Sequence, residues 1–140
     1  MKIPRIVLDT NIVVSALRSK RGASYRLLMQ LDRGIYEPAV SVSLVLEYES
    51  AAKRLLNQSR LKIHDIETVI DFLCSVAAPV KIFYLWRPFL RDPKDDMVLE
   101  VAVAANCSHI VTFNINDFYG AEQFGVRVVT PQKFLVEIGG

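Results

Sequence analysis

Short β-rich runs alternate with helical stretches along the whole chain, and that alternation constrains its fold more than any other feature. Ile6-Val7-Leu8 ends at Asp9, and a helix follows over Asn11 to Ser19 with Asn11 as its N-cap. Ala23 to Asp32 is amphipathic, with Leu27, Leu28 and Leu31 at helical spacing and Gly34 as its stop. Pro38 to Val42 reads as a second strand. Ser43 is placed to cap a helix from Leu44 to about Asn57. His64 to Ala77 reads as a further helix stopped by Pro79, and Val80 to Leu85 as a third strand. The polar stretch Arg87 to Lys94 reads as a loop and Asp95 to Asn106 as a strongly apolar helix. His109 to Phe113 and Val126 to Val129 complete the strands. A short helical turn over Asn116 to Tyr119 lies between them, and Pro131 sits in the first turn of a last helix.

Repeated strand–helix alternation predicts a parallel sheet covered on both faces, because a parallel crossover needs a connection long enough to hold a helix. The strand segments are continuous apolar runs, as sheets buried on both sides require. The expectation is an α/β fold, three-layer α/β/α, with a mostly parallel sheet of about five strands. With 140 residues, the chain is read as a single domain over residues 1–140. Its apolar runs reach only about ten residues, too short to span a bilayer. The N-terminus carries no apolar signal-peptide core, so a cytoplasmic protein is expected. Cys74 and Cys107 form no CxxC pair, and His64 and His109 are the only histidines, which argues against a disulfide framework or an imidazole-built metal site.

In parallel α/β sheets ligands bind beyond the carboxyl ends of the strands, near the point where strand order reverses. Acidic residues recur at those ends. Asp9 directly follows the first strand. Glu47 lies about one helical turn beyond the second, at the edge of the stripe Leu44, Val45, Tyr48 and Ala52. Asp117 follows the fourth, within Thr112-Phe113-Asn114-Ile115-Asn116-Asp117. Arg91-Asp92-Pro93-Lys94-Asp95-Asp96 opens the apolar helix. There Asp92 reads as N-cap and Pro93 as the first helical residue. Asp95 is in line with Val98, Leu99, Ala102 and Ala105, the stripe expected to face the sheet, while Asp96, in line with Glu100, leans toward solvent. Each acid also has a structural reading, as a cap, a turn residue or a complement to a helix dipole. Carboxylates gathered at one sheet edge repel one another unless a cation joins them, and an oxygen-only donor set suits Mg²⁺ or Mn²⁺. There is no GxxxxGK[ST] or GxGxxG loop, which removes support for triphosphate hydrolysis and dinucleotide binding.

Ile-Val-Leu-Asp9-Thr10-Asn11, then Ser-x-x-x-Glu47, then Asp92-Pro-Lys-Asp95-Asp96, then Val-Thr112-Phe-Asn114-Ile-Asn-Asp117-Phe118 occur in that order. In these motifs the chain resembles the PIN-domain family, in particular the small bacterial (VapC-like) toxin components of toxin–antitoxin pairs, from about Lys2 to Leu135. The resemblance implies a metal-dependent ribonuclease. Asp9, Glu47, Asp95 and Asp117 match its acidic catalytic positions, with Asp9, Asp95 and Asp117 as metal ligands and Asp96 replacing Asp95 if the helix register shifts by one. Asn11, Thr112 and Asn114 match residues that orient the site. Asn114 is neutral where some relatives carry an aspartate.

The implied chemistry is hydrolysis of RNA by one or two Mg²⁺ or Mn²⁺ ions, which acidify a water and neutralise charge on the phosphodiester. Arg18, Lys20, Arg21, Arg87, Arg91 and Lys94 are candidate phosphate contacts, and Tyr84, Trp86 and Phe89 candidate stacking surfaces for unpaired bases. The expected partners are RNA, a cognate antitoxin, and a second copy of the chain in a homodimer or higher oligomer; no membrane is expected. Two other readings are a nuclease-fold module that binds RNA or protein without catalysis, and an aspartyl phosphotransfer domain. The second lacks the paired Asp, since Asn11 stands two residues after Asp9, and the Lys after the last strand, where Thr130 and Pro131 follow Val129.

Overall fold

The computed structural model describes residues 3–58, 60–82 and 89–139. Its centre is a five-stranded, all-parallel sheet: β1 (Arg5–Leu8), β2 (Glu37–Val40), β3 (Ala78–Pro79), β4 (His109–Val111) and β5 (Arg127–Val129), in the spatial order β3-β2-β1-β4-β5. The helices are α1 (Thr10–Arg18), α2 (Ala23–Leu28), α3 (Val42–Lys53), α4 (Ile63–Val76), α5 (Pro93–Ala104) and α6 (Pro131–Glu137). This is the three-layer α/β architecture expected from the alternation. Strand order runs outward from β1 in both directions, so the topological switch lies between β1 and β4. Ile6 pairs with His109, Val7 with Ile110 and Leu8 with Val111, and that register sets Asp9 beside Thr112.

Ile6, Val7 and Leu8, together with Ile110 and Val111, are fully buried, as a central pair covered on both faces demands. Helix α5 packs on β1, β2 and β4 through Val98, Leu99, Val101 and Ala102, all at 0% exposure. Burying each such side chain contributes about 1.5–3 kcal/mol by transfer alone. At the lower end of the sheet, Tyr36 donates its hydroxyl to the Leu27 carbonyl at 2.7 Å and meets Phe134 of α6 edge-on. His109 and Arg127 both engage Glu137, fastening α6 to β4 and β5.

The structure corrects several local expectations. Asp9, not Asn11, is the N-cap of α1: it is extended at φ −63°, ψ 151°, and its carboxylate accepts from Thr10 N. Ser41, not Ser43, caps α3, accepting from Leu44 N at 3.1 Å, so β2 ends at Val40 and Val42 is already helical. α2 ends at Leu28, and a separate 3₁₀ turn over Leu31–Arg33 leads to Gly34 in the left-handed region. Pro79 does not merely stop α4; it belongs to the edge strand β3, where its missing N–H costs no ladder bond. The strand expected over Val80 to Leu85 lies earlier in the chain, at Ala78–Pro79: pairing with β2 ends as Val80 N reaches Val40 O at 2.9 Å, and Val80, Lys81 and Ile82 are not strand. Residues 83–85, and with them Tyr84, as well as Trp86 and Arg87, lie outside the described residues. β4 stops at Val111, and Thr112 passes its N–H to Val129 O before the chain turns away.

One correction matters most for the site. Asp96 and Glu100 do not lean toward solvent; they are 1% and 3% exposed. Helix α5 has no free face on that side, because it is enclosed by α3 and the 3₁₀ turn over Ile115–Phe118 as well as by the sheet. Asp92 and Pro93 do open α5 as expected, with Asp92 accepting from Lys94 N at 2.9 Å.

Candidate metal centre

Two helix N-termini meet at the switch point. Asp9 leaves the end of β1 with its N–H bonded to Val111 O at 2.9 Å, and its side chain turns back over the start of α1. Oδ1 accepts from Thr10 N at 2.8 Å and Oδ2 from Thr112 Oγ1 at 2.7 Å. Thr112 is itself fully buried, and its hydroxyl oxygen accepts from Asn114 N at 3.0 Å. Thr112 thus aims Asp9 from below and starts the turn that carries Asp117 around to the same region. That turn closes through Asp117 N to Asn114 O at 3.0 Å.

Across from Asp9, the first turn of α5 presents Asp92 and Asp95. With Asn116, Asp117 and Arg91 they line a cavity of about 590 Å³, whose apolar margin includes Phe89 and Tyr119. Burial pushes the Asp95 carboxyl up to about 7, and the neighbouring charges of Asp9, Asp92, Asp117 and Asp96 add to the rise. Asp9 is raised as well, first by its own burial. The Thr112 hydroxyl and the Thr10 amide oppose that rise, and Asp117 and Asp92 reinforce it. Both carboxyls are raised first by burial, and their acidic neighbours add to the rise.

Asp96 has a different task. Its Oδ1 accepts from Leu90 N at 2.8 Å and from Phe89 N at 3.3 Å, tying the cavity wall to α5, while Oδ2 has no hydrogen-bond partner among the described residues. Asn11 Oδ1 is likewise buried and unpartnered. Glu47 points at bases: its Oε1 lies 3.6 Å from Arg54 Nη2 and 3.5 Å from Lys94 Nζ. Lys94 is therefore drawn across α5 toward Glu47. Arg18 and Lys20 do not border the acidic cavity at all; they line a separate groove, and exposed Arg21 lines neither.

The residues fit a hard divalent cation in donor chemistry. Asp9, Asp92, Asp95 and Asp117 offer only oxygen. Both Asp9 oxygens keep a free lone pair after their hydrogen bonds, and a buried amide oxygen without a donor lies two residues away at Asn11. Among the described residues no three such side chains stand close enough to enclose an ion in their present rotamers. Ligation at Asp95 and exposed Asp117 therefore requires side-chain rotation.

The sequence reading missed two participants. Asp92 caps α5 and faces the cavity together with Asp95; a residue that explains itself as a cap gives no further local signal. Tyr48, fully buried, donates its hydroxyl to the Leu8 carbonyl one residue before Asp9, locking α3 onto the end of β1. Its contact spans 40 residues, and its helical spacing marks it only as core.

An acidic cavity at the switch point of a doubly wound parallel sheet, with no glycine-rich phosphate loop beside it, sets the class of protein apart from the nucleotide-binding members of this architecture. A family model for the PIN domain matches residues 5–116, and the chain belongs to the PIN-domain family. The match takes in Asp9, Glu47, Asp92, Asp95, Thr112 and Asn114 and stops one residue before Asp117. No curated relative matches the sequence. The fold is of nuclease type, and nucleases of this family typically use divalent metals. Among the described residues no helix is long and apolar enough to cross a membrane.

Proposed function

We propose that this protein is a Mg²⁺- or Mn²⁺-dependent endoribonuclease, acting in the cytoplasm as the toxin of a toxin–antitoxin pair. The observation that carries the enzymatic part is the gathering of Asp92, Asp95 and Asp117 around one open cavity, with Asp9, buried at the end of β1 and not itself a lining residue, near enough for its charge to act on Asp95. Asp9, Asp95 and Asp117 would hold the ion, with Asp92 at its margin. When bound, a divalent cation supplies charge neutralisation on a phosphodiester and a more acidic water. The chain's own residues do the positioning. Thr112 and the Thr10 amide fix the Asp9 carboxylate, Asp96 fixes the wall formed by Phe89 and Leu90, and Arg91 is, among the described residues, the base lining the cavity that can meet a phosphate. Glu47, paired with Arg54 and Lys94, sets the position of the first turn of α5 from outside the cavity.

The test is a titration of wild type and Asp9→Asn with Mg²⁺ and Mn²⁺, following RNA cleavage and thermal stability together. Wild type should cleave and gain stability with metal, since an ion that binds only the native state stabilises it by mass action; Asp9→Asn should do neither. Metal-induced stabilisation without cleavage of any of several RNAs would make the chain a nuclease-fold binding module instead. The toxin role is tested separately, by growth arrest on expression of wild type and its absence with Asp9→Asn.

A further inference from the structure

The acidic cavity offers a polyanion little positive charge of its own. Among the described residues Arg91 is its only basic lining residue, and Lys94 is drawn to Glu47. Affinity for RNA comes mainly from basic residues that displace counterions, so basic residues gathered elsewhere are the natural place to seek a further grip on a substrate. Among the described residues Arg5, Lys53, Arg54, Lys94 and Arg127 are already in ion pairs with carboxylates.

Arg18, Lys20 and Arg60 are exposed and form no such pair with any described residue. They converge, with His64, on a groove of about 650 Å³ between the end of α1, α2 and the start of α4. Its one acid, Asp65, has its carboxylate turned to Lys62 N at 3.0 Å, where it caps α4. Its lining also includes exposed Met29 and the ring of Tyr25. Basic side chains and an aromatic ring lining one groove are the composition that holds single-stranded nucleic acid, phosphates on the cations and base faces on the ring. The groove is also connected to the candidate centre. Asp9 caps α1 and Arg18 ends it, so the two lie one nine-residue helix apart, roughly 13 Å at 1.5 Å per residue.

We propose that this groove is a second RNA contact, which holds a single-stranded segment of the substrate at a distance from the cut while the acidic cavity takes the scissile phosphate. The inference rests on the ribonuclease reading and extends it. It also revises the place of Arg18 and Lys20: they act in a separate groove with Arg60, not on the cavity rim.

The experiment measures binding of a fluorescein-labelled single-stranded RNA in EDTA, so that no cleavage occurs, over a range of salt concentrations. Compared with wild type are the triple variant Arg18→Gln/Lys20→Gln/Arg60→Gln and the charge-conserving triple Arg18→Lys/Lys20→Arg/Arg60→Lys, each confirmed folded by its melting transition. The Gln variant should bind about tenfold or more weakly, and its log-affinity against log-salt slope should shrink by about 2, near 0.7 for each of three lost phosphate contacts. The charge-conserving variant should bind within about twofold of wild type. Equal affinity and slope for wild type and the Gln variant would overturn the groove while leaving the ribonuclease reading intact. No RNA binding by wild type would overturn both. If the Gln variant keeps RNA but loses a poly-glutamate peptide that wild type binds, the groove serves an acidic protein partner and the RNA assignment falls.

Discussion

The hydroxyl of Thr112 donates to Oδ2 of Asp9 at 2.7 Å, joining two residues 103 positions apart in the chain. Neither side chain is free: Thr112 is fully buried, and Asp9 is bound on its other oxygen by Thr10 N. Thr112→Val keeps the shape and removes the hydroxyl, leaving Asn114 N–H without its acceptor as well. A hydrogen bond to a charged group is worth about 1.5–3 kcal/mol, and the variant should lose stability in that range at neutral pH. The Asp9 carboxyl should also titrate higher, because the Thr112 hydroxyl opposes its rise. Thr112→Ser should recover most of both. Urea denaturation and carboxyl NMR titration measure the two effects.

Asp95 makes stability depend on pH in a defined direction. Its pKa rises from 3.8 to about 7 on folding. Between those values the folded state holds more protons than the unfolded chain, so this group's contribution is complete below about pH 4 and is withdrawn as pH rises through 7. In metal-free buffer, Asp95→Asn should melt higher than wild type at pH 8, and the difference should shrink as pH falls toward 5. Added Mg²⁺ or Mn²⁺ should stabilise wild type at pH 8 and stabilise Asp95→Asn far less. Calorimetry across pH with EDTA or metal reads all of these; a wild-type melt that does not change from pH 5 to 8 relative to Asp95→Asn would contradict the assignment.

Asp96 is expected to act by holding the cavity wall. Asp96→Asn keeps an oxygen for Leu90 N and Phe89 N and should retain the fold and most metal-induced stabilisation. Asp96→Ala leaves the buried Leu90 N–H unpaired and opens a small void, and should lose about 2–4 kcal/mol. Hydrogen exchange at Leu90 should quicken in Asp96→Ala and remain slow in Asp96→Asn.

Tyr48→Phe removes the donor to the Leu8 carbonyl without changing packing volume. The expected cost is about 1–3 kcal/mol for a buried acceptor left unpaired. Because Leu8 immediately precedes Asp9, the variant should also weaken metal-induced stabilisation while leaving far-UV circular dichroism unchanged.

The sheet and most helices were legible because their signals are local. Apolar runs such as Ile6-Val7-Leu8 and the Asp92-Pro93 start of α5 carry their structure in a few adjacent residues. Asp9 and Asp117 stood out as candidates because each follows a strand end, and Asp95 because it belongs to the acidic cluster that opens α5 and is in line with that helix's apolar stripe. The misreadings share one cause. Asp9 and Ser41 each end a strand and cap a helix at once, so the caps fall earlier than where helical periodicity first shows. The burial of Asp96 and Glu100 depends on what encloses α5, and the separation of Arg18 from Arg91 depends on how α1, α2 and α4 come together. Periodicity within one helix carries neither.

The strand order has a consequence for the emerging chain. β1 is made first, but its neighbour at the switch point, β4, comes 103 residues later, and Asp117 later still. Until β4 slides in beside β1, Asp9 has no Thr112 to aim it and no Asp117 across from it. On the growing chain the acids of the candidate centre are therefore dispersed, and they can be brought together only once β4 and the turn carrying Asp117 have been made.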